Sequence, residues 1–193
     1  MRLGPGAAIT YTDGAGSIGR GTLAGRLIAR VEEWSEPPPV DLEIAVAPPH
    51  ERERIRFLVE KAQELGVRRL RWLDSRFGNA RPSQVARASD WAVSALEQSR
   101  GGWLMVIESD WLAPADLDPF RPTLVAMADG TAQISELPLP LRVVVGPEGG
   151  WAEDEIPSGW SRFSLGRTIL RTETAVVATA VWVSSHSTNF AGD

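Results

Sequence analysis

The sequence predicts an α/β domain built on a parallel sheet over residues 40–193, preceded by a small β module over residues 1–35. Three observations carry this expectation. Helix-period and strand-period segments alternate through the second part, as in a sheet flanked by helices. The apolar runs Val143–Val145 and Phe163–Leu165 each end in glycine. The β-branched valines favour a strand, and the bounds suit one buried in a parallel sheet, although periodicity alone does not separate it from buried helix. Between the two parts, Glu36-Pro37-Pro38-Pro39 reads as a stiff polyproline II linker.

In the first module, Ala8–Thr12 alternates and Asp13-Gly14 is a turn signal. Gly16, Gly19 and Gly21 extend the turn region, and Thr22–Val31 alternates loosely through Leu23, Leu27 and Val31. Past the linker, Asp41–Ala47 reads as a strand with Leu42, Ile44 and Val46 on one face. Glu51–Leu65 predicts an amphipathic helix: Ile55, Leu58, Val59, Ala62 and Leu65 share a face, and Gly66 stands where the chain leaves the helix. Val67–Leu73 follows as a strand. Pro82–Ser99 predicts a second helix, with Pro82 near its first position and Val85, Ala88, Ala92, Ala95 and Leu96 inward. Trp103–Ile107 reads as a strand, Pro114–Leu117 as a short helix, and Thr123–Ala128 as a strand ending at Asp129-Gly130.

Ala152–Ile156 carries Glu153, Asp154 and Glu155, which suit the first turn of a helix. Consecutive carboxylates in one turn point in different directions, so no metal site is expected there. Thr172–Ser187 is the last helix, with Glu173 near its start. It is apolar nearly all round, which marks a buried helix. Near the end of the chain, a partner subunit is the expected source of that burial; packing within one subunit is the other reading.

Composition excludes several classes. There is no cysteine, so thiol catalysis, disulfides and cysteine-based zinc sites are out. His50 and His186 are too far apart to suggest a ligand pair. No run of apolar residues is long enough to span a bilayer, and the first residues lack a signal-peptide core, so a cytoplasmic protein with no membrane partner is expected. The net charge of −5 argues mildly against nucleic acid, yet residues 50–100 carry 11 Lys/Arg against 7 Asp/Glu. Such a local excess can guide a phosphate backbone, or it is a solvated mixed face.

Gly146-Pro147-Glu148-Gly149-Gly150 is neither a dinucleotide fingerprint nor a P-loop. Glu148 would repel phosphate and better suits a cationic or hydroxylated ligand. The glycines allow close approach of a ligand to backbone, and an ordinary glycine-rich turn is the alternative.

That loop, followed by Leu-Gly-Arg-Thr-Ile-Leu-Arg-Thr-Glu-Thr-Ala at 165–175, closely resembles the RsmE family of SPOUT-class RNA methyltransferases. The likeness runs through most of residues 41–193 and is dense in these two motifs. It implies a trefoil-knotted α/β domain that binds S-adenosylmethionine and works as a homodimer through the last helix. It also implies methylation of uridine N3 in small-subunit (16S) ribosomal RNA, with the RNA or the small ribosomal subunit as partner. Ala128, Gly146, Pro147, Glu148, Gly149, Gly150, Leu165, Gly166, Ile169 and Leu170 are then the expected cofactor residues. Arg171 is the expected electrostatic catalyst. Glu173 orients it or accepts a proton, and an Arg171–Glu173 ion pair of purely structural use is the competing reading. Arg76, in a Ser/Arg loop after a strand, and Arg100, displaced by one position within Glu97-Gln98-Ser99-Arg100, are the expected RNA contacts. The first module resembles the later part of a PUA-like RNA-binding barrel, a truncated form lacking the first strands. A different RNA target, or a non-catalytic dimeric knotted module, are the alternatives.

Overall fold

The computed structural model describes residues 4–132 and 137–187, with the side chain of Ser187 set aside. The outermost residues of both expected units, 1–3 and 188–193, lie outside that range. Two sheets are formed. Strands β1 (Ala8–Thr12), β2 (Ser17–Ala24) and β3 (Leu27–Ser35) make an antiparallel meander. Six further strands make a wholly parallel sheet: β4 (Leu42–Val46), β5 (Arg69–Leu73), β6 (Val106–Leu112), β7 (Thr123–Ala126), β8 (Leu141–Val145) and β9 (Ser161–Phe163). Their spatial order is β6-β5-β4-β8-β7-β9.

Strand alternation divides the core of the parallel sheet. Ile44, Val46, Leu70, Trp72, Val143 and Val145 face one side, beneath helices α1 (Arg52–Glu64), α3 (Ala88–Ser99) and α4 (Thr172–Ser187). Ala45, Ala47, Leu73, Val125 and Val144 face the other, under Leu117, Ile156 and the indoles of Trp151 and Trp160. Both faces of β4 and β8 are therefore buried, which is why their sequences are nearly continuous apolar runs. The interruption is charged: Glu43 and Arg142 sit side by side on adjacent strands, both buried, joined by a 2.7 Å hydrogen bond from Arg142 Nε to Glu43 Oε1.

Three expected elements end or divide differently. The helix expected over residues 82–99 is two, α2 (Pro82–Val85) and α3: Gln84 caps the start of α2 by accepting a bond from the Arg81 N–H (2.6 Å) and donates to the His50 carbonyl, and the break falls at Arg87, whose backbone (φ −105°, ψ 13°) leaves helical geometry. The strand expected at 103–107 begins at Val106. The preceding backbone is already satisfied: the Gln63 amide donates to Trp103 O (2.9 Å) and accepts from Met105 N (2.8 Å), while Leu104 N donates to Gly14 O (2.9 Å). The last of these also ties the β1–β2 turn of the meander to this segment. The acidic run at 153–155 forms turns, not a helix.

Helix α4 packs Val176, Thr179, Ala180 and Val183 inward without exposure, whereas Val181 is 49% exposed on its outer side. Among the described residues, no helix is long and apolar enough to cross a membrane.

Candidate functional site

Three neighbouring strands, β8, β7 and β9, release their loops at the same, carboxyl end of the sheet. Between these loops lies a cleft of about 360 Å³. Its walls come from Ala126–Asp129 after β7, from 145–151 after β8, and from residues between Ser164 and Ala175 on the way from β9 into α4. The size falls within the usual range for small-molecule sites, and an open α/β sheet binds ligands at this edge. All ten residues expected to bind a cofactor line it: Ala128, Gly146, Pro147, Glu148, Gly149, Gly150, Leu165, Gly166, Ile169 and Leu170.

Local chemistry explains the loop sequence. Gly150 has φ +73°, a left-handed conformation, and its N–H closes a turn onto Pro147 O at 3.0 Å. A side chain at Gly146 would come within 2.7 Å of the Trp151 indole nitrogen. The Gly146 carbonyl accepts a 2.9 Å hydrogen bond from Thr172 Oγ1, which ties the loop to the first residue of α4. In the β9–α4 loop, Ser164 Oγ donates to Gly166 O (2.6 Å) and accepts from Gly166 N (3.2 Å). Ile169 stands on the rim, 85% exposed.

The cleft fits S-adenosylmethionine on its own donor set. Its apolar walls suit an adenine ring, and its backbone groups suit ribose and purine edges. The carboxylate of Glu148 suits a cationic ligand. The indole N–H of Trp151, against the Gly146 backbone, is buried with no acceptor among the described residues.

A residue with no motif to announce it ties the site together. Arg54, on α1, donates from Nε (3.0 Å) and Nη2 (2.6 Å) to the two carboxylate oxygens of Glu173. The same guanidinium pairs with Glu148 of the glycine loop and, at 3.0 Å, with Glu51. Hydrogen bonding to Glu173 is the main force that raises the Arg54 pKa well above the usual guanidinium range. Burial pushes the Glu173 carboxyl up, but the Arg54 hydrogen bonds, its own backbone bond and the positive charges of Arg54 and Arg171 outweigh this and hold it below the ordinary carboxylate value. Glu173 is buried and does not line the cleft. Arg171 lies between the lining residues Leu170 and Thr172 with its side chain exposed. Arg171 is not itself among the lining residues, and its guanidinium makes no hydrogen bond or ion pair among the described residues; in place of the Arg171–Glu173 pair of the competing reading, Glu173 pairs with Arg54.

The structure separates the two expected RNA contacts. Arg76 follows β5 at the same end of the sheet as the cleft. Two of its guanidinium nitrogens grip Asp154 (2.6 and 2.7 Å), and its backbone N–H donates to Glu155 at 2.9 Å. The acidic run thus holds the 75–77 loop beside the glycine loop. Arg100 ends α3 with φ +57°, just before β6 begins, at the opposite edge of the sheet.

A model of the RNA methyltransferase domain family matches residues 36–184. The chain is 30% identical to ribosomal RNA small subunit methyltransferase E of Synechocystis sp., over 91% of this chain and 65% of that protein. It is equally identical to the protein of the same name from Mycobacterium bovis, over 96% of this chain and 84% of that protein. The chain therefore spans about two thirds of the cyanobacterial relative's length. Among solved structures, it resembles a probable rRNA-methyltransferase from Porphyromonas gingivalis (TM-score 0.80, 25% identity, 98% of this chain and 88% of that one). It also resembles ribosomal RNA small subunit methyltransferase E from Neisseria gonorrhoeae bound to S-adenosyl methionine (TM-score 0.82, 23% identity, 95% and 84%).

Proposed function

Because this chain belongs to the RNA methyltransferase family, among the ribosomal RNA small subunit methyltransferase E proteins, we propose that it methylates uridine N3 of 16S ribosomal RNA with S-adenosylmethionine. The carrying observation is the convergence of two sequence-distant glycine loops and the β7 end on one cleft at the carboxyl edge of the sheet. Residues of 146–150 and 165–170 hold the methyl donor, with Glu148 facing its positive charge. Bound there, S-adenosylmethionine supplies a methyl group on a sulfonium.

The chain's own contribution is placement and charge. Holding an acceptor nitrogen at near-attack distance lowers a barrier of this kind by about 7–11 kcal/mol. Uridine N3 must lose its weakly acidic proton, which passes to solvent at the open cleft, before it attacks, and negative charge then spreads onto O2 and O4. Arg171, whose side chain is exposed between the lining residues Leu170 and Thr172 and forms no ion pair among the described residues, is the group assigned to meet that charge. Glu173 holds the site and is not the proton acceptor in this proposal, since Arg54 already occupies both of its oxygens. Arg76 faces the RNA beside the cleft.

The finer architecture belongs to the same proposal. The domain over residues 40–193 carries a SPOUT-type trefoil knot in its C-terminal part, and the outer side of α4, with Val181 exposed, packs against a second copy in a homodimer. The three-stranded meander is a PUA-like module that touches RNA, and the protein works in the cytoplasm. The test is incubation of the purified chain with small ribosomal subunits and radiolabelled S-adenosylmethionine, followed by nucleoside mass spectrometry. N3-methyluridine is the expected product. A methylated nucleoside of another kind would assign a different RNA target, and no incorporation into either RNA or subunits would overturn the enzymatic reading.

A further inference from the structure

We infer that Arg54 is a positioning residue that pins the donor-binding loop to the last helix, an inference that rests on the cleft being the S-adenosylmethionine site. The loop is held to α4 at two points. One is direct: Thr172 Oγ1 donates to Gly146 O at 2.9 Å. The other needs an intermediary, because the next two groups to face each other, Glu148 and Glu173, are both carboxylates. Arg54 reaches from α1 to place one guanidinium between them. It meets Glu173 with a two-nitrogen fork and Glu148 with the shared Nη2, and Glu51, just before the helix, steadies Nη1. Three segments far apart in sequence, around residues 54, 148 and 173, are thus fastened through one cation.

The arrangement has a directional consequence. Without Arg54, two negative groups are left beside each other, one buried and one on a mobile-capable glycine loop. The glycine loop is the part that yields, so Glu148 and its neighbours leave the cleft wall. The cost of ordering them again falls on ligand binding. Arginine is the residue for this task because its planar fork serves two carboxylates at once, which the single ammonium of lysine does not.

The test is calorimetric titration of the full chain with S-adenosylmethionine. Arg54→Gln should weaken binding by roughly tenfold, the scale of re-ordering a loop on binding. The turnover number at saturating S-adenosylmethionine and the KM for RNA should change by less than about twofold, because Arg54 touches neither reactant. Arg54→Lys, which keeps the charge and protects folding, should fall between wild type and Arg54→Gln. A double-mutant cycle adds a readout that a merely structural role would not move. Arg54→Gln and Glu148→Gln should be strongly non-additive in donor affinity, because the two side chains share one ion pair. Wild-type affinity in both Arg54 variants, or an additive Arg54–Glu148 cycle, overturns the inference while leaving the donor site intact. Failure of the wild-type chain to bind S-adenosylmethionine overturns the reading of the cleft, and this inference with it.

Discussion

Two threonines on the same helix should respond in opposite directions to the same substitution. Thr172 and Thr179 are both buried, the second completely. Thr172 Oγ1 donates to the Gly146 carbonyl at 2.9 Å, whereas Thr179 Oγ1 is buried with no partner among the described residues. Valine matches threonine in shape and replaces only the hydroxyl. At position 172 it removes a hydrogen bond and leaves a part-buried carbonyl without that donor, a loss of about 2 kcal/mol. At position 179 it removes a desolvated, unpaired hydroxyl and adds apolar surface in a site that is already dry, a gain of about 1 kcal/mol. For a chain of this length, each kcal/mol moves the melting midpoint by about 2–4 °C. Thr172→Val should therefore melt about 4–8 °C lower, and Thr179→Val about 2–4 °C higher, at matched concentration. Thermal unfolding followed by far-ultraviolet circular dichroism, checked by urea midpoints, reads both. A neutral Thr172→Val, or a Thr179→Val as damaging as Thr172→Val, would refute the reasoning that the Thr172–Gly146 bond secures the loop.

Other outcomes follow from the same geometry. S-adenosylmethionine at about 100 times its dissociation constant should add about 2.7 kcal/mol, seen as a melting shift of about 5–10 °C in a thermal scan. Arg171→Ala should lower the turnover number by about 100-fold with donor affinity nearly unchanged, measured by single-turnover methylation and titration; a change in affinity alone would remove Arg171 from catalysis. The Glu173 carboxyl is held below its ordinary value of 4.5, so its contribution to stability is complete above that pH and is lost as pH falls through the lower folded value. Glu173→Gln should accordingly flatten the acid limb of a stability–pH curve, and an unchanged acid limb would show the Arg54–Glu173 pair to be energetically silent. Glu43→Gln should cost about 3–5 kcal/mol in urea unfolding, because it leaves the Arg142 charge buried between strands without its counter-ion.

Much of the frame was legible because composition and burial agree. β4 and α1 lie where alternation and helical spacing put them, β8 where its β-branched valines put a strand, and α4 where an apolar run follows Thr172-Glu173. What failed was punctuation set by distant partners. The late start of β6 depends on Gln63, about forty residues earlier, already holding the backbone on either side of Leu104. The acidic run at 153–155 looks like a helix start, yet Asp154 and Glu155 are there to hold Arg76 across the gap between two loops. Local propensity carries no record of such partners.

The site divides along the same line. Its glycine loops were legible because the backbone geometry they need restricts composition: Gly150 adopts a left-handed turn and Gly146 leaves room for the Trp151 ring. Arg54 was not, because an arginine on the polar side of an amphipathic helix has the same local pattern whether it faces water or a carboxylate 119 positions away. The parallel topology brings the two together: it places β4 beside β8, so α1, which follows β4, begins next to the loop that follows β8 and the helix that closes it. The strand order that builds the cleft therefore also delivers the cation that steadies it. A change in that order would lose the donor site and its support together, whereas a change at Arg54 alone would loosen the loop and leave the sheet standing.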